Sequence, residues 1–140
     1  MLSNEMIHKF AEDWYKMLDV HRPMVEFLPL LANEELEMVF PEATVYKWAG
    51  FEGWFQRVIR LFFDEVHTVK EVKAVIDGDS AEVKVIVQWE ASVWNPPAAK
   101  SERIIADAYQ TWKMKLSNDK PVIIKYVVDR FEYHEGSAKL

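Results

Sequence analysis

The clearest periodicity lies near the N-terminus. Ile7, Phe10, Ala11, Trp14 and Leu18 recur at helical spacing, with Glu5, Lys9, Glu12, Asp13 and Lys16 off that stripe. The pattern predicts an amphipathic helix running to about Asp19, with Ser3 placed to cap its first free N–H groups. Pro23 suits the first turn of a second, short helix through about Leu31, limited by Pro29. Leu36–Phe40, closed by Pro41, reads as a short strand, and Thr44–Trp48 as a second extended piece. From about Phe51 the helical period returns in Phe51, Trp54, Phe55, Val58, Ile59 and Phe62. Beyond Asp64 the chain reads as β. Val66–Ile76 and Ala81–Trp94 are joined at Asp77-Gly78-Asp79-Ser80, and Asn95-Pro96-Pro97 breaks the second of them. Ile104–Leu116 and Val122–Tyr133 form a further pair around Ser117-Asn118-Asp119-Lys120-Pro121.

Alternation within these strands predicts which side chains face inward. On Ala81–Val93 the odd positions (Ala81, Val83, Val85, Val87, Trp89, Ala91 and Val93) form the apolar row. On the next strand the even positions do so: Ile104, Ala106, Ala108, Gln110, Trp112, Met114 and Leu116. Gln110 is the single polar member of that row. On the last strand Ile124, Tyr126 and Val128 are placed inward. The strand Val66–Ile76 alternates poorly, which predicts a bulge near Lys70–Val72. Helices followed by a long antiparallel meander give an α+β class: a cone-shaped, curved, mostly antiparallel sheet of about four long and one or two short strands, packed against three N-terminal helices.

Composition narrows the chemistry. One hundred and forty residues make a single domain, 1–140, long enough to bury about two-thirds of its unfolded surface. The absence of Cys removes disulfides, thiol catalysis and iron–sulfur clusters, and four scattered Gly leave no phosphate-cradling loop. A net charge of −6 argues against a nucleic-acid partner. No apolar run approaches the roughly 18–20 residues of a membrane span, and no leader pattern opens the chain. The expectation is a cytoplasmic protein without a membrane or nucleic-acid partner. The four His show no metal-ligand spacing, so neither a metal nor a cofactor is assigned.

Several short strings carry a family resemblance across nearly the whole chain. They are Leu30-Leu31-Ala32-Asn33, Gly50-Phe51-Glu52-Gly53, His67-Thr68-Val69, Asp77-Gly78-Asp79-Ser80-Ala81-Glu82-Val83 and Tyr126-Val127-Val128-Asp129. In order, length and these strings the chain resembles the SnoaL-like branch of the nuclear transport factor two-like superfamily. The resemblance implies a helix-capped cone with an internal pocket, and a homodimer formed through the outer sheet face. It implies no single activity, because this fold serves isomerases, cyclases, dehydratases, epoxide hydrolases and non-enzymes.

The unusual count is six Trp. Trp14, Trp48, Trp89 and Trp112 fall on faces expected to converge, which suggests an aromatic wall for a small apolar or aromatic ligand. Gln110 and Tyr126 join them as polar contacts. As a phenol donor, Tyr126 suits polarisation of a carbonyl, and His67 suits an acid or base. The leading expectation is therefore a ligand-binding protein of SnoaL-like type with a cavity of roughly 300 Å³ or more. The alternatives are an isomerase, cyclase or dehydratase acting on a polycyclic or terpenoid-like substrate, and a dimeric interaction module with a filled cone. The inward rows offer no carboxylate base; Asp13, Asp19 and Asp107 are the fallbacks, Asp107 first among those on the sheet. The Arg-x-Asp pair of the epoxide hydrolases is missing, and His67 alone does not make the two-histidine set of the dehydratases. Trp94, beside Asn95-Pro96-Pro97, suits a dimer contact or a lid.

Overall fold

A computed structural model describes residues 1–140. Helix α1 (Asn4–Asp19) is capped as its sequence predicts, Met6 N donating to Ser3 Oγ at 3.2 Å. The segment after Pro23 forms two successive 3₁₀ turns, Met24–Glu26 and Leu28–Leu30, where the spacing suggested one short helix. The cause is local: Pro29 has no N–H to give an α-type bond, so the chain tightens to i→i+3 bonds such as Leu30 N to Phe27 O at 2.9 Å. Strands β1 (Glu37–Val39) and β2 (Thr44–Tyr46) follow. Helix α2 (Lys47–Leu61) opens about one turn before the Phe51 start that its periodicity indicates. The early start is supported from outside the helix, because Asn33 Oδ1 accepts from Trp48 N at 3.1 Å and acts as a cap fifteen residues away.

Four long strands complete the chain: β3 (Phe62–Asp77), β4 (Ser80–Val93), β5 (Glu102–Ser117) and β6 (Lys120–Tyr133). The sheet order is β2-β1-β6-β5-β4-β3, antiparallel throughout except where β1 lies parallel to β6 with Met38 opposite Tyr126. Gly78, at φ +62, turns β3 into β4 through a conformation that other residues adopt at a cost. The inward rows of β4 and β5 are those the alternation predicts. Val83, Val85, Val87, Ala91, Ile104, Ala106, Trp112 and Met114 are all buried, and the bulge expected near Lys70 lies between Val69 and Glu71. On β6 a further bulge inserts Ile124, since Lys113 faces Lys125 while Met114 faces Ile123. Ile123, not Ile124, therefore takes the inner place, while Tyr126 remains inward.

The closed end of the cone is filled with rings. Trp14 meets Phe27 edge-on at 5.4 Å, and Trp112 stacks on Tyr126 at 5.4 Å. Phe27, Phe51 and Phe55 bring α2 and the 3₁₀ segment onto the same cluster. Burial of these large rings is the main source of stabilisation, and it seats α1 and α2 over the sheet. No helix is long and apolar enough to cross a membrane.

Candidate functional site

The rings leave one end of the cone open. A cavity of about 180 Å³ remains there, smaller than the sequence argument asks for. Its walls come from every layer of the fold: Tyr15 and Leu18 of α1, Phe40 just after β1, Trp54 and Val58 of α2, Phe62, Glu65 and His67 of β3, Val87 and Trp89 of β4, Ala108 and Gln110 of β5, and Tyr126, Val128 and Phe131 of β6. Exposed residues Pro41, Glu42, Arg57 and Leu140 frame the mouth. Trp54 lies flat on Phe40 at 4.0 Å with its indole N–H on Glu42, which fixes one side of the opening.

The site residues inferred from sequence separate into groups. His67, Trp89, Gln110 and Tyr126 line the cavity together. Trp14 and Trp112 do not; each is almost fully buried in the ring cluster beneath it, because their neighbours interdigitate without leaving space. Trp48 lines a separate surface cleft, its indole N–H donating to Leu31 O at 3.0 Å. Trp94 is half exposed and donates to Ala98 O, away from the cavity. Of the fallback carboxylates, Asp13 pairs with Lys9 on the surface. Asp107 is held by His134 and Lys70 away from the cavity, and Asp19 belongs to the site.

Three polar groups give the cavity its chemistry. Asp19 follows Tyr15 by one helical turn, so both project from the same face of α1 toward β3. His67 Nδ1 meets Asp19 Oδ1 at 2.6 Å, and the imidazole stacks on the Tyr15 ring at 4.8 Å. Only 9% of the His67 side chain is exposed, and its Nε2 makes no protein hydrogen bond. A carboxylate on Nδ1 fixes the tautomer that leaves Nε2 as the basic nitrogen.

The second group is an amide and two phenols. Gln110 Oε1 accepts from Tyr15 OH at 3.1 Å and from Trp112 Nε1 at 3.0 Å. An indole N–H only donates, so the atom facing it must be the amide oxygen. Tyr15 gives its proton to Gln110, hence the 3.1 Å contact between the two phenols is Tyr126 donating to Tyr15. Both phenolic protons are thereby committed, and the unspent donors are those of Gln110 Nε2. Burial pushes the Tyr15 phenol well above its ordinary value, and the neighbouring Tyr126 adds to this. Burial likewise pushes Tyr126 up to about 12, despite the opposing effect of its hydrogen bond with Tyr15. Both rings stay neutral at physiological pH.

The third group has no counterpart in the inward rows read from sequence. Glu65 is a buried carboxylate in the cavity wall, its side chain 3% exposed. Trp89 Nε1 donates to its Oε1 at 3.0 Å, and His21 Nε2 meets its Oε2. A bulge between Phe63 and Val66, with Asp64 at φ +49, turns Glu65 inward. The available signal was its spacing: Glu65 and His67 are two apart, and so share one face of an extended strand.

Comparison with solved structures settles the architecture. A protein described as an aromatic ring hydroxylase from Novosphingobium aromaticivorans superposes with a TM-score of 0.79 at 10% identity, over 96% of each chain. A hexachlorocyclohexane dehydrochlorinase from Novosphingobium barchaimii gives 0.75 at 13% identity, over 97% of this chain and 92% of that one. The chain has the nuclear transport factor two-like fold. A protein described as a scytalone dehydratase from Novosphingobium aromaticivorans shares this cone at 0.71 and 13% identity, over 96% and 90%. At such identities the likeness shows the cone alone and says nothing of the reaction. No family model and no curated protein matches the sequence.

Proposed function

We propose that this nuclear transport factor two-like protein binds a small, mostly apolar ligand with a single ring and abstracts a proton from it. The observation that carries the reading is the 2.6 Å pair between His67, in the wall of a mostly apolar cavity, and Asp19 behind it. His67 Nε2 is the base and Asp19 orients it. The Gln110 Nε2 donors, held in place by Trp112 and Tyr15, receive the negative charge that develops on a carbonyl oxygen. Tyr126 supports that amide through Tyr15. Base and donor both rest on Tyr15, His67 stacked on its ring and Gln110 bonded to its hydroxyl, in one cavity wall.

Cavity size supports one ring over a polycyclic substrate. A protein cavity of about 150 Å³ accommodates benzene, so about 180 Å³ leaves space for a ring with a small substituent. Trp89 and Trp54 supply apolar walls for such a ligand. A protein of this fold described as an aromatic ring hydroxylase is in keeping with this class. The half-exposed outer sheet face, with Ile86, Ile105, Tyr109 and Val127 among its residues, supports a homodimer there. Sedimentation at several concentrations tests it, and a strict monomer refutes it.

The test of the proton-abstraction reading is deuterium exchange into cyclohexanone in D₂O, followed by mass spectrometry. The wild type should speed exchange of the α-hydrogens, and His67→Asn and Asp19→Asn should reduce it by about 10²-fold or more while folding normally. Exchange that His67→Asn leaves unchanged would sink the proposal.

A further inference from the structure

We infer that the ring ligand of this cavity carries a protonated amine, and that the buried Glu65 carboxylate is its counter-ion. The inference rests on the reading of the cavity as a ligand site and names the charge of what enters it. It does not depend on His67 acting as a base.

Burying a carboxylate is costly unless charge or hydrogen-bond partners compensate it. Glu65 stands in the wall of a mostly apolar cavity, its side chain 3% exposed. Trp89 Nε1 donates to its Oε1 at 3.0 Å, and His21 meets Oε2. A carboxylate has about four acceptor positions, so these two contacts leave both oxygens able to accept again. His21 does not line the cavity, and with 28% of its side chain exposed it stands on the water side. Glu65 is therefore the member of the pair that a ligand meets. A neutral amide at position 65 would hold the Trp89 indole as well. What the carboxylate adds is negative charge, and a cation is the ligand that uses it.

The neighbouring walls suit the same group. Phe62 meets Trp89 edge-on at 5.0 Å and Phe131 tilts toward it at 6.0 Å, so two further rings flank the indole that holds the carboxylate. Aromatic faces attract ammonium groups, Trp most strongly, and cages of such rings are a recurring means of holding them. The sign of the surrounding charge agrees. Glu42 at the mouth adds a second carboxylate, and Arg57 is exposed there, where water screens it. The chain's net charge of −6 favours the approach of cations over anions. Polarity is also ordered along the sheet. Gln110 is tied to the ring cluster through Trp112, whereas Trp89 pairs with Ala106, four residues further along β5. Hydrogen-bond donors thus lie at one end and the carboxylate at the other. Such a cavity fits a ring with an acceptor on one side and an ammonium on the other.

The probes are toluene, benzyl alcohol, benzylammonium and benzoate, which share one ring and differ in the charge and donors of a single substituent. Binding to the whole chain at pH 7 is measured by isothermal titration calorimetry. Benzylammonium should bind about tenfold or more tighter than benzyl alcohol and toluene, with benzoate the weakest. Glu65→Gln keeps an acceptor for Trp89, and its toluene affinity reports whether the cavity is intact. In that variant benzylammonium should fall to the level of benzyl alcohol. Two results overturn the inference while leaving the ligand site standing: wild type that binds benzyl alcohol or toluene as tightly as benzylammonium, or Glu65→Gln that keeps the wild-type preference. Benzoate bound more tightly than benzylammonium overturns it too. The wild-type order alone decides the matter if Glu65→Gln fails to fold. Failure of all four probes to bind overturns this inference together with the reading of the cavity as a ligand site. Cyclohexanone exchange, which needs His67 and no ammonium, stands or falls separately.

Discussion

Raising the pH tests the paired phenols, since Tyr126 and Tyr15 sit 3.1 Å apart inside an indole-walled core. In the unfolded chain a tyrosine ionises near 10. In the fold Tyr126 holds its proton to about 12, and Tyr15 shifts in the same direction. Between these values the native state binds protons that the unfolded state has lost, so the sign is fixed: stability is fully present below about pH 10 and falls as pH rises toward 12. Two units at 1.36 kcal/mol each make the contribution of Tyr126 alone about 3 kcal/mol, a large share of a typical domain's 5–15 kcal/mol. Tyrosinate absorbance should show two of the five phenols silent until near-ultraviolet circular dichroism collapses. Tyr126→Phe sharpens the test. At neutral pH it loses one hydrogen bond, about 1 kcal/mol, while removing the alkaline penalty. The variant should be less stable than wild type at pH 8 and more stable as pH 12 is approached, measured by urea unfolding at each pH. Parallel curves for the two proteins across that window would refute the reasoning.

Other consequences are quicker to check. Gly53 lies inside α2, and a methyl group there would meet nothing within 4 Å, so Gly53→Ala should add about 1 kcal/mol of helix propensity. Thermal melting should rise by about 3–4 °C. Gly50→Ala should show no such gain, because its Cβ would approach Val45 Cβ at 3.0 Å. Ser3→Ala removes the cap on Met6 N and should cost about 1 kcal/mol in urea unfolding. Burial alone would raise the Asp107 carboxyl, but hydrogen bonds from His134 and Lys70 prevail and hold it below its ordinary 3.8. Its contribution is present above that value and lost as pH falls through the lowered one, so Asp107→Asn should flatten the acid limb of a stability–pH curve below about pH 4.

What could be read in the sequence follows from where local pattern and tertiary geometry coincide. Val83 to Ala91 and Ile104 to Met114 alternate without interruption, so their inner faces, and the inward position of Gln110, followed from period alone. Alternation likewise turns Tyr126 inward, whereas His67 rests on the string His67-Thr68-Val69 that carries the family resemblance. The reading failed where the period breaks. Glu65 lies at a junction with no linker between α2 and β3, inside a bulge whose Asp64 is left-handed, so counting from Val66 left it outside the strand. Ile123 replaced Ile124 for the same reason. Asp19 carries an inward role only because β3 brings His67 beside the last turn of α1, a contact that no local spacing encodes. Trp14 and Trp112 face inward as their periods require, but whether an inward ring borders a void or fills it depends on the neighbours' volumes.

The parallel seam between β1 and β6 fixes the order in which the cavity can be assembled. Strands β3 to β6 each pair with the next along the chain, so they can form by local closure. β1 must wait for Met38 to find Tyr126 near the other end of the chain. During synthesis α1 and α2 emerge with their apolar stripes exposed and no sheet to cover them. Asp19 can meet His67 once β3 packs on α1, whereas the contact of Tyr15 with Tyr126 must wait for β6. The polar groups that define the site are, in time as well as in sequence, the two ends of one folding reaction.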